Sequence, residues 1–203
     1  MSYRKRLAGL DERGSLVDSV PSRVILLTGQ SSFVSSRLSP QQAAFLTAVA
    51  SEPLLMGFPY HADFDHAYLE TGVIAASIRN AMQFCWSLFS PRYRSAVARV
   101  LQEVIFKTSE LLCIVTGSCG LQILASAWPL LKIPSKLQVR VVAVGPVMVG
   151  GAVPGLHVVQ GRRDIWSRLL YRGNVSARCR CGHLDYWNSR EVRDIVSRLL
   201  RCA

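Results

Sequence analysis

The chain has 203 residues and a mass of 22.4 kDa, enough for one domain that buries roughly 70% of its unfolded surface in a single core. Half of its residues are hydrophobic, 18% are charged and the mean hydropathy is +0.23, which excludes a disordered or linker-like chain. The 24 Lys and Arg against 13 Asp and Glu leave a formal charge of +11, an excess that attracts anionic surfaces or substrates without specifying one. The arginines stand mostly singly, with neither a dense run nor an interleaved aromatic platform, so nucleic acid is not the expected partner.

Residues 1–22 are polar and aperiodic, ending at Pro21-Ser22. They read as a leader or edge element ahead of a domain spanning 23–203, and without a following apolar core they do not form a secretory signal. Arg23–Thr28 is a short buried strand, closed by Gly29-Gln30-Ser31-Ser32. Ser39-Pro40-Gln41-Gln42 opens a helix reaching about Ala50, with Ser39 as cap and Gln42 three residues on. A second strand covers Pro53–Phe58.

The span from His61 to Ser109 is too long for one crossover helix and divides at Ser90-Pro91. Its first part, about Tyr68–Phe89, is apolar but interrupted by Arg79, Asn80 and Gln83, so it is a buried or partner-facing helix rather than a membrane span. It serves either as a small lid at 61–90 or as a core-packed crossover. The second part places Ala96, Val97, Val100, Leu101, Val104 and Ile105 on one helical face.

Then comes the most informative stretch, Glu110–Leu131. An apolar run, Leu111–Val115, stops at Thr116-Gly117-Ser118-Cys119-Gly120, and a helical run resumes at Leu121. A strand that feeds a helix through so few residues turns sharply and needs small side chains two before and two after the apex. Thr116 and Gly120 occupy those positions around Ser118. The apex hydroxyl is then held beside a helix N-terminus, where developing negative charge is favoured. Further strands follow at Val139–Val144, Leu156–Gln160 and Asn174–Arg180, and Asn188-Ser189-Arg190-Glu191 opens a last helix as a capping box. Strands alternating with helices imply a mainly parallel six-stranded sheet in a three-layer αβα sandwich, with any site at the carboxyl ends of its strands.

Just past three of those ends stand Ser118, then Asp164 in "VVQGRRD", then His183 in "CGHLDYW". With "IVTGSCG", in which Thr116 replaces a glycine of the G-x-S-x-G elbow, these segments resemble the α/β-hydrolase family over about Arg23 to the C-terminus. The resemblance implies a reduced form of that fold, without its two leading antiparallel strands and without a large cap. It also implies a serine hydrolase acting on a carboxylic ester or thioester, with no metal or cofactor. Ser118 is the expected nucleophile, His183 the general base and acid, and Asp164 its orienting carboxylate. The expected oxyanion donors are the backbone N–H groups of Cys119 and, through "LLTGQSS", Gln30. Ser31, His61, Phe84 and Trp86 are the expected substrate contacts.

Alternatives remain open at this point. Asp164 can instead cap the next helix or pair with Arg162 or Arg163, Asp185 can substitute for it, and Cys119 can replace Ser118 as nucleophile. His66 is a pocket candidate with His61, His157 sits within a strand, and Cys179, Cys181 and His183 are spaced unlike a zinc site. The same triad serves acyl transfer, and a catalytically silent binding protein of the same fold is the competing class. Six scattered cysteines point to a reducing, cytoplasmic setting, and oligomeric state is left unspecified.

Overall fold

The computed structural model describes residues 17–33, 35–60 and 68–201. In chain order it contains β1 (Val20–Leu27), α1 (Pro40–Val49), β2 (Pro53–Gly57), α2 (Val73–Phe89), α3 (Pro91–Phe106), β3 (Thr108–Gly117), α4 (Gly120–Ala127), β4 (Gln138–Val144), β5 (Leu156–Gly161), α5 (Ile165–Leu170), β6 (Ala177–Cys179) and α6 (Arg190–Arg201). The strands form one sheet in the order β2-β1-β3-β4-β5-β6, with every neighbouring pair parallel. Helices cover both faces, giving three layers.

The alternation of side chains along β3 explains why both faces are covered. Leu112 and Ile114 point into a core made with Val97, Leu101 and Val104 of α3 and Leu121 and Leu124 of α4. Cys113 and Val115 point the other way, against Phe45 and Leu46 of α1 and Val192, Val196 and Leu200 of α6. A strand buried on both sides has no reason to alternate polar with apolar residues, which is why Leu111–Val115 reads as an unbroken run. Each fully buried Leu, Ile or Val contributes about 1.5–3 kcal/mol relative to exposure. The buried row Val97, Val100, Leu101, Val104 and Ile105 holds α3 flat on the sheet.

Local signals set most boundaries. Ser39 accepts from the Gln42 N–H while the Gln42 side chain accepts from the Ser39 N–H, a reciprocal cap that starts α1. Ser90 accepts from the Tyr93 N–H and starts α3 at Pro91. Three expectations are corrected. Val20–Ser22 belong to β1, where Val20 and Ser22 pair with Thr108 and Leu111, so the sheet begins before residue 23. The last strand is only Ala177–Cys179, because Ser176 caps the end of its pairing with Val158 through both its backbone and its hydroxyl. The last helix is capped by Ser189 rather than Asn188, and Glu191 reaches back to accept from the Arg180 N–H at the end of β6.

The apolar segment expected over about Tyr68–Phe89 is a helix from Val73 to Phe89 whose residues include Ala76, Asn80 and Phe84 in the lining of a cavity. It packs against α3 and α4 through a face containing Gln83 and Ser87, the only two of its residues that are fully buried, and leaves Val73, Ile74, Ile78, Met82 and Phe89 exposed. Residues 61–67 lie outside the described part. Among the described residues no helix is long and apolar enough to cross a membrane.

The chain steps from β1 outward to β2, then crosses back past β1 to β3 and onward to β4, so the winding reverses between β1 and β3 and a crevice opens at their carboxyl ends. Gly120 sets how closely the crevice is built. A Cβ there would run into the Leu27 carbonyl oxygen at the end of β1, so only glycine lets α4 sit against that strand. We expect Gly120→Ala to cost about 1–3 kcal/mol, the usual penalty of overpacking, read as a lower urea midpoint; an unchanged midpoint would show that the contact is not constraining.

Candidate active site

Ser118 is the first residue past β3 and has φ 50, one of two described non-glycine residues with positive φ, the other being Tyr60. An L-residue is held there against its own preference, as happens at a sharp turn that aims one side chain. The next residue already belongs to the entry of α4, and the loop after β4 fastens the turn from outside, with the Val147 N–H donating to the Ser118 carbonyl at 2.9 Å.

The Ser118 hydroxyl lies 3.1 Å from His183 Nε2. On the other side of the ring, His183 Nδ1 lies 2.9 and 3.0 Å from the two oxygens of Asp164. A carboxylate can only accept, so Nδ1 carries the hydrogen and Nε2 is left as the acceptor for Ser118. His183 is 23% exposed while Asp164 has no exposed side-chain surface.

Asp164 is held by more than the imidazole. Its Oδ1 accepts from the Ser167 N–H at 2.9 Å, which makes it the N-cap of α5, and its Oδ2 accepts from the Tyr186 hydroxyl at 2.7 Å. That hydroxyl in turn accepts from the Gly161 N–H at 2.7 Å. Burial alone would raise the carboxyl. The hydrogen bonds from His183, the Ser167 N–H and Tyr186 outweigh it and hold the group below the ordinary aspartate range. Capping the next helix and holding a histidine are alternative expectations for this residue, and its carboxylate contacts both the Ser167 N–H and His183 Nδ1. Arg162 and Arg163 are exposed, and Asp185 accepts from the Gly182 N–H, shaping the loop that carries His183.

The three groups open onto a cavity of about 540 Å3, lined on its apolar side by residues such as Phe84, Val147, Trp166, Leu170, Leu184 and Trp187. Volume and lining suit a small organic ligand. Ser31, Phe84, Cys119, Ser118 and His183 reach this cavity. Trp86 does not: two residues beyond Phe84 it is turned about 200° round the helix, where it is half-buried beside Tyr93 at a ring distance of 6.2 Å. His61 and His66 fall outside the described residues, and His157 is half-buried in β5.

The two residues expected to supply oxyanion donors are placed differently. Cys119 lines the cavity directly after Ser118, but the Gln30 N–H points away and donates to Gln83 Oε1 at 3.0 Å, and Gln83 Nε2 returns a bond to the Gln30 carbonyl at 2.9 Å. The cause is α2. Its three polar interruptions all address the loop after β1: Arg79 donates to the Ser31 carbonyl at 2.6 Å, Gln83 grips Gln30, and Asn80 faces Gly29, where a Cβ would collide with both the Asn80 amide and Cys119 Sγ. Asn80 lines the cavity and its Oδ1 is buried without a hydrogen-bond partner among the described residues. Asn80 and Tyr186 are the two site residues that sequence reasoning passed over. For Asn80 the signal was present, as polar residues at 79, 80 and 83 in an apolar helix share one face.

Burial pushes the Cys119 thiol up to about 12, so it remains protonated at neutral pH, and it is the Ser118 hydroxyl that lies against His183 Nε2. Cys179 and Cys181 are buried with their sulfurs 3.2 Å apart, and His183 turns away from them; no cluster of three metal-ligating side chains occurs among the described residues. In comparisons with known proteins the chain matches no protein-family model and no curated protein sequence.

Tyr186→Phe tests the carboxylate's setting. Leaving the buried Gly161 N–H unpaired costs about 1–3 kcal/mol, and Asp164 loses a donor as well. A carboxyl held below its unfolded value of 3.8 contributes stability that is complete above that pH and lost as pH falls through the lower folded value. The stability gap between wild type and Tyr186→Phe should therefore narrow on acidification below 3.8. A gap independent of pH in denaturation curves would mean that Tyr186 does not act on the charged carboxylate.

Proposed function

We propose that this protein is a serine hydrolase of the α/β-hydrolase kind, cleaving a carboxylic ester or thioester through an acyl intermediate on Ser118. One observation carries the reading: an unbroken line of contacts runs from the Ser118 hydroxyl through both nitrogens of His183 to a fully buried Asp164, above the carboxyl ends of β3, β5 and β6. The all-parallel sheet and the positive φ at Ser118 agree with it.

Ser118 Oγ attacks the acyl carbonyl carbon as its proton passes to His183 Nε2. Collapse of the tetrahedral adduct breaks the bond to the leaving alcohol or thiol, which takes that proton from the imidazolium. Water then attacks the acyl-enzyme, gives its proton to His183, and the released Ser118 oxygen recovers it, leaving the free acid. Asp164 keeps the imidazole in the tautomer that accepts at Nε2 and stabilises the imidazolium that forms in each half-reaction. The oxyanion takes the Cys119 N–H and, in place of Gln30, the Asn80 side-chain amide, whose nitrogen and oxygen exchange places by a half-turn about χ2. The acyl group lies along Phe84 and Leu170. A non-water acceptor in the second half would make the same machinery an acyltransferase.

A catalytically silent binding protein is the second reading. It is favoured by the occupied Gln30 N–H and by Thr116, whose buried Oγ1 has no hydrogen-bond partner among the described residues. Turnover of short-chain p-nitrophenyl esters separates the two. On the hydrolase reading wild type turns them over, Ser118→Ala falls to background, Asp164→Asn loses about 10⁴-fold in kcat, and Asn80→Ala loses about 10²–10³-fold. Wild-type activity no greater than that of Ser118→Ala would leave the silent reading.

A further inference from the structure

The mouth of the cavity is apolar in a way that water does not favour. Val73, Trp166 and Leu184 line the cavity yet are 62%, 59% and 69% exposed, so they stand at its rim. From Val73 the apolar surface continues along α2 through Ile74 and Ile78, four residues apart and 79% and 57% exposed. Trp166 belongs to α5, which turns Ile165, Trp166 and Leu169 outward. Single exposed apolar side chains are ordinary, whereas a group gathered around a cavity mouth marks a docking surface.

Charge says what docks there. Between Gly161 and Arg180 stand six arginines, at 162, 163, 168, 172, 178 and 180, all of them exposed. The one acid of that span, Asp164, is buried and engaged with His183. Within that span Trp166 and Leu169 are thus interleaved with guanidinium groups, and the exposed carboxylate of Asp185, beside Leu184, is turned back onto the Gly182 N–H. That pattern suits the boundary between lipid headgroups and acyl chains, where rings and aliphatic side chains enter the apolar layer and arginines meet lipid phosphates. A second copy of the chain fits less well. A two-fold contact places each patch against itself and would bring the arginines of one α5 region toward those of the other.

We propose that this face docks on the surface of an anionic lipid bilayer, with the cavity mouth turned toward the membrane. Taken with the serine-hydrolase reading, on which this last clause rests, the substrate is an acyl ester or thioester drawn from the lipid layer rather than from bulk water.

The experiment uses the full chain carrying Ser118→Ala, so that binding is measured without turnover, and sediments it with phosphatidylcholine vesicles with and without phosphatidylglycerol. Binding is expected to the phosphatidylglycerol vesicles, to weaken with added salt, and to fall about fivefold for each of Arg163→Ala and Arg172→Ala. The pair Ile78→Asp and Leu169→Asp should reduce it to the level of pure phosphatidylcholine. In the Ser118 background the same pair should leave hydrolysis of a water-soluble ester unchanged, which also reports that the variant is folded. Equal sedimentation with both vesicle types, or full binding by the aspartate pair, overturns the proposal. So does a concentration-dependent dimer that Ile78→Asp dissociates, which assigns the face to a second copy. A protein that binds vesicles but turns over no ester retains the docking face and loses the hydrolase reading; one that turns over soluble ester without binding vesicles loses only the docking face.

Discussion

A carboxylate with no exposed surface is the constraint on which the site depends. Withdrawing such an ion from water costs several kcal/mol unless its lone pairs are occupied, and Asp164 meets the requirement by drawing donors from three places: the first turn of α5, the Tyr186 hydroxyl and the His183 ring. Tyr186 is in turn fastened to the Gly161 N–H at the end of β5. One buried charge thereby joins the end of β5, the start of α5 and the loop after β6. With its Nδ1 committed to Asp164, His183 has only Nε2 to offer Ser118.

The other half of the site is set by close approach at the switch point of the sheet. β1 and β3 are neighbours, Gly120 lets α4 press against the end of β1, and Gly29 lets the loop after β1 meet both the elbow and α2. The polar residues of α2 then decide which groups of that loop face the cavity. Gln83 satisfies both the N–H and the carbonyl of Gln30 and removes them from it, while Asn80 is left facing inward with an unmatched oxygen. An apolar helix that carries three polar side chains toward one loop is a clamp on that loop. Its remaining apolar stripe is free to face outward.

Much of this was legible in the residues because it is local. The run Leu111–Val115 followed by small residues around Ser118 can only be a buried strand entering a helix through a tight turn. Asp164 and His183 stand just past the fifth and sixth strands, and parallel topology brings such positions to one edge. What was not legible depends on three-dimensional phase. Trp86 looked like a pocket residue because it neighbours Phe84, but two residues on a helix is more than half a turn. Gln30 looked like an oxyanion donor because loop sequences do not reveal that a side chain 53 residues later will occupy its N–H. The length of β6 was overestimated for a related reason: an edge strand ends where its one neighbour stops pairing, which here is a hydroxyl contact from Ser176.

The central claim is that Ser118 is made nucleophilic by His183 and Asp164, and a fluorophosphonate probe with intact-mass and peptide mapping measures it directly. The account predicts one adduct per chain, carried on the Ser118 hydroxyl, and lost in both Ser118→Ala and His183→Ala. An adduct on another residue, or labelling of Ser118 that persists at the wild-type rate without His183, would contradict it.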